Sequence, residues 1–156
     1  IVKDSQQKVF DSILNGCNKT ELNKLLREIY DDLMNEDKTL SIDYGQPMGV
    51  KTTGTMAHKA GLWSNKNIDT NFDIGDKPVL FIASSTEKGN LPSNKVVAIE
   101  WGETPESCGV EVDRQNSFEK HFTNSKSWAG ILGAFNTSWK TALAGMSQTG
   151  LDEWFK

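Results

Sequence analysis

The chain holds two histidines, His58 in Thr55-Met56-Ala57-His58-Lys59 and His121 in Lys120-His121-Phe122. Two imidazoles of staggered pKa can act as base and acid, and a lysine such as Lys59 can stabilise a phosphorane-like transition state. Together they would equip a metal-free ribonuclease or another small hydrolase. The charge balance opposes that use: Lys plus Arg number 17 against 21 Asp plus Glu, a net charge of −4. A phosphate site wants cationic surroundings, and a duplex binder wants a basic surface. Double-stranded nucleic acid is therefore not an expected partner. Two histidines in 156 residues are also what ordinary surface and structural use produces.

Asp69, Asn71 and Asp73 place side-chain oxygens at alternate positions, with Asp76 three residues on, which resembles the ligand spacing of a calcium loop. The match is incomplete, because the sixth position is Ile74 where glycine is required and the twelfth is Leu80 where glutamate is required. Alternation is equally the mark of a strand with one wet face. Glu100 and Glu103 flank Trp101, and Glu106 and Glu111 follow. Carboxylates on adjacent strands can pair for acid–base work on a glycosidic bond, but they also make an ordinary polar sheet face. No phosphate loop, nucleophile elbow, zinc helix or dinucleotide turn occurs in the sequence.

Cys17 and Cys108 lack zinc-type spacing. Paired, they would close a loop of about 90 residues and stabilise the fold by ~4–5 kcal/mol in an oxidising compartment. Unpaired, they are two free thiols. The disulfide option tilts localisation towards the secreted or extracytoplasmic side. The chain starts at Ile1 without a methionine, as a processed form or an excised piece would. No apolar run approaches the ~20 residues that span a bilayer.

The aromatic C-terminal region carries a different kind of chemistry. Of five tryptophans, Trp128, Trp139 and Trp154 fall late in the chain with Phe135. Trp-rich patches among small residues make good anchors for a partner protein, and these four side chains are the candidate partner-binding residues. The alternative is that they fill a core, with neighbouring glycines allowing close approach.

The elements that must position these groups follow from periodicity. Val2, Val9, Phe10, Ile13 and Leu14 recur at helical spacing and predict a helix over residues 4–15, with Asp4 and Gln7 as a capping box and Gly16 at the C′ position. Asn18 and Glu21 repeat the box before Leu22, Leu25, Leu26, Ile29, Leu33 and Met34, which predicts a second helix hairpinned to the first. Residues 37–64 sustain no period and read as a long loop with short strands. Strict alternation of Ile68, Thr70, Phe72 and Ile74 predicts a strand. Three more are expected over 78–84, 95–101 and 109–113, joined as an antiparallel meander because the connections are too short for helical crossovers. From Ser125 the residues Trp128, Leu132, Phe135, Trp139, Leu143 and Met146 make one helical stripe, although each glycine inside it costs ~1 kcal/mol relative to alanine.

The expected fold is a single α+β domain over residues 1–156: an N-terminal αα-hairpin, a central antiparallel sheet of about four to five strands and a C-terminal amphipathic helix. The expected function is a non-enzymatic interaction domain, a secreted, phage-borne or immunity-type module that acts by occupying another protein. The acid–base hydrolase built on His58, His121 and Lys59 is the competing class.

Overall fold

Val2–Leu14 form helix α1, which turns Val9 and Ser5 inward while Phe10 and Leu14 face out, Leu14 at 83% exposure. No side chain caps its N-terminus, and Asp4 lies inside the first turn, so the Asp4/Gln7 box does not form. Its C-terminus closes as expected: Gly16 adopts φ +83, the Cys17 N–H donates to the Ser12 carbonyl and the Gly16 N–H to that of Ile13. Only glycine enters this left-handed turn without a Cβ penalty. Lys19–Met34 form α2, whose first turn is capped by Asn18 Oδ1 accepting from the Glu21 N–H at 2.8 Å. Leu22, Leu26, Ile29 and Leu33 form its buried stripe.

The computed structural model describes residues 1–144, and their contacts cluster into two compact units, one of Ile1–Thr39 with the chain from Phe118 onward and one of Leu40–Ser117. In the first unit the α1–α2 hairpin shares a core with Phe118, Phe122, Trp128, Leu132, Trp139 and Ala142. The chain enters this unit through helix α4 (Arg114–Phe118), which runs into a π-helical turn over Glu119–Thr123. Phe118 and Phe122 stack with centroids 4.9 Å apart. Trp139 meets both rings edge-on at 5.1 and 5.6 Å, and Trp128 at 5.0 Å.

The long helix expected from Ser125 is interrupted. Helix α5 spans Lys126–Gly133, a turn follows over 134–136, and helix resumes at 139. The Thr137 N–H donates to the Leu132 carbonyl and the Asn136 N–H to Gly133, with Asn136 at φ +52 in the place a glycine usually takes. Ser138 then restarts the helix by accepting the Thr141 N–H. The break leaves Trp128, Leu132, Trp139 and Ala142 on one core, so the helical spacing survives although the helix does not. Met146 and Trp154 lie outside the described residues.

The second unit is an antiparallel sheet of β1 (Gln46–Pro47), β2 (Val79–Thr86), β3 (Val96–Ile99) and β4 (Val110–Val112). Strand β2 pairs with β1 and β3, and its second half pairs with β4 across a register shift between Ala83 and Ser85. The expected meander thus gives way to an arrangement centred on β2, whose eight residues are long enough to serve three partners. Every residue of β3 is buried, which explains its unbroken apolar run Val96-Val97-Ala98-Ile99.

Two further expectations fail here, and for linked reasons. Residues 56–67 form helix α3 (Met56–Asn67), where a loop was expected. Its buried stripe is Ala57, Ala60, Gly61 and Ser64, small or polar residues that hydrophobic periodicity does not register. A Cβ on Gly61 would lie 3.2 Å from Phe72 Cβ, so the small stripe permits close packing. Ser64 Oγ, fully buried, accepts the Ala98 N–H of β3 at 3.0 Å. Conversely, the alternating segment from Ile68 to Ile74 is not a strand. The Asn65 side chain takes the place of a neighbouring strand: Oδ1 accepts the Phe72 N–H at 2.7 Å and the Thr70 hydroxyl at 2.8 Å, and Nδ2 donates to the Phe72 carbonyl at 2.8 Å. Phe72 packs towards the core of Val50, Ala57, Ala60, Leu80, Val96 and Ala98, while Ile74 is exposed.

Replacing Ser64 by alanine strands a buried backbone N–H and should cost about 1–3 kcal/mol, read as a lower urea midpoint at unchanged m-value. An unchanged midpoint would refute the Ser64–Ala98 bond. Asn136→Val puts a β-branched residue in the left-handed region and should cost about 1–2 kcal/mol, whereas Asn136→Gly should leave the thermal midpoint unchanged or raise it.

Candidate functional site

A cleft of ≈ 350 Å³ opens in the sheet unit, lined by Asn67 at the end of α3, Ile68, Asp69 and Thr70 after it, Lys88 after β2, and Glu100, Glu103, Ser107 and Cys108 after β3. Local hydrogen bonds build its third wall. The Ser107 hydroxyl donates to Glu103 Oε2 at 2.9 Å and accepts the Thr104 N–H at 3.2 Å, while the Ser107 N–H donates to Thr104 Oγ1 at 3.1 Å. These bonds close the 3-10 turn Glu106–Cys108, which Gly109 ends at φ +75. A Cβ there would sit 3.1 Å from Lys88 Cγ and Cε, so the bare Gly109 backbone seats the stem of Lys88, a residue that lines the cleft. On the first wall Asp69 holds a left-handed φ of +59, a conformation that costs a non-glycine residue of order 1 kcal/mol.

Three carboxylates, Asp69, Glu100 and Glu103, and one lysine, Lys88, thus line one opening and leave it net negative. Among the described residues no three His, Cys, Asp or Glu side chains are grouped to hold a metal ion. The arrangement offers carboxylate acceptors in a negative field, complementary to an ammonium or guanidinium group.

Trp101 follows Glu100 directly and stands 65% exposed. Its Nε1–H donates to the Lys77 carbonyl at 2.7 Å, which fixes the indole although most of it meets solvent. Comparison with protein-family models, curated proteins and solved structures finds no match.

The residues singled out in the sequence fall in both units. His58 lies in the first turn of α3, where its Nδ1 accepts the Gly54 N–H at 3.1 Å, and Lys59 beside it is exposed. His121 lies in the π-helical turn of the other unit. Burial holds the His121 pKa below the ordinary histidine value, helped by the positive charges of Lys120 and the Ile1 amino group. Of the calcium candidates, Asp69 lines the cleft and Asn71 is exposed. Asp73 and Asp76 cap a turn, Asp76 Oδ2 accepting the Asp73 N–H and Asp73 Oδ1 the Ile74 N–H, both at 2.8 Å. Glu100 and Glu103 share the cleft, whereas Glu106 accepts the Ser41 hydroxyl and Glu111 that of Ser85.

The proposed tryptophan anchors behave differently again. Trp128 is 0% and Trp139 2% exposed, Phe135 is partly buried, and Trp154 lies outside the described residues. The first two indoles are core residues and not a surface of their own unit. Cys17 and Cys108 are both free thiols, so the closed loop considered from the sequence does not form. Lys88, Ser107 and Thr70 gave no signal in the sequence, because their proximity comes from three separate loops.

Because the folded pKa of His121 is depressed, the unfolded chain takes up a proton first as pH falls through the ordinary value near 6.5. Stability should therefore fall between neutral and mildly acidic pH, and His121→Gln should flatten that part of the stability profile. Equal slopes for both proteins in urea titrations at pH 7.5 and 5 would contradict the burial of the ring. Denatured, unreduced protein should release the full signal of two thiols to Ellman's reagent; absence of signal would restore the disulfide.

Proposed function

We propose that this chain is a non-enzymatic interaction domain that acts by occupying a partner protein, with Trp101 as its anchor and the neighbouring acidic cleft as the receiver of a basic side chain. The observation that carries this reading is the exposed but hydrogen-bonded indole of Trp101. A tryptophan brings the largest apolar surface of any side chain, and holding it rigid before binding removes part of the ordering cost that association otherwise meets. The next residues supply the polar surroundings such anchors use, with Glu100 and Glu103 at the cleft and Lys88 as their counter-charge.

The partner surface that fits is correspondingly basic, with a lysine or arginine to enter the cleft beside an apolar pocket for the indole. Electrostatic attraction of this kind acts chiefly on association rate and is screened within ~8 Å at physiological salt. Nothing in the placement of His58 and His121 adds support to the hydrolase reading, since His58 Nδ1 is already engaged by Gly54 and burial disfavours a charged His121. Among the described residues no helix is long and apolar enough to cross a membrane.

The test is a photo-cross-linking amino acid placed at Leu62 or at Lys77, the exposed residue whose carbonyl holds the Trp101 indole, in turn, with the adducts from a lysate of the native source identified by mass spectrometry. One protein should cross-link from position 77 in a salt-sensitive manner and not from exposed Leu62. With the purified partner, Trp101→Ala should weaken binding at least tenfold, and Glu100→Lys with Glu103→Lys should slow association. Equal cross-linking from both positions, or RNA cleavage that disappears in His58→Ala and His121→Ala, would overturn the proposal.

A further inference from the structure

We draw no further inference here: the strongest candidate, the threonine- and glycine-rich loop that leads into the N-terminus of α3 between Lys51 and Lys59, carries nothing because no buried, unpartnered polar group among the described residues points into it.

Discussion

The burial of two tryptophans against a stacked phenylalanine pair is the contact on which the helical unit depends. Trp128 and Trp139 meet each other and Phe122, and Trp139 also meets Phe118, while Tyr30 of α2 packs edge-on against Phe118 at 4.9 Å. Residues far apart in sequence thereby close one core. The arrangement carries a cost, since neither indole N–H has a hydrogen-bond partner among the described residues. An unmet donor costs about 1–3 kcal/mol, while removing 150–250 Å² of aromatic surface from water contributes about 4–6 kcal/mol. Burial wins for each ring.

This core has a consequence for function. Trp128 and Trp139, two of the tryptophans that look most like binding anchors in the sequence, are consumed in joining the N-terminal helix pair to the segment that follows Phe118. Trp101 differs because its turn leaves it outside: its N–H is satisfied by the Lys77 carbonyl, yet its ring keeps most of its surface in solvent. A large apolar group that is ordered but not buried contributes little to folding, which is the ground on which we propose Trp101 as an anchor.

The sheet unit rests on a different economy. Helix α3 carries alanine, glycine and serine on its inner face, so it contributes little apolar volume but allows close approach, and Ser64 completes the backbone pairing of β3. Asn65, the next residue, holds the 68–74 segment by its side chain. That segment then delivers Asp69 and Thr70 to the cleft. Two adjacent polar residues on one helix thus fix a strand on one side and a cleft wall on the other.

Local pattern alone determined the N-terminal helix pair, with the Asn18 cap and Gly16 turn, and the three strands around Val79, Val96 and Val110. Their signals are short-range: apolar period, cap chemistry and β-branched runs between turns. It could not reveal α3, because a buried stripe of small residues has the right spacing but no hydrophobic contrast. It could not distinguish the Ile68 to Ile74 alternation from a strand, because that distinction lies in whether the backbone finds another strand or the side chain of Asn65. The break at Asn136 was equally hidden, since a turn that restarts the helix in phase preserves the stripe. The cleft belongs wholly to tertiary structure. Asp69, Lys88, Glu100 and Ser107 are brought together by α3 and the sheet, and nothing in their separate loops encodes that they share one opening.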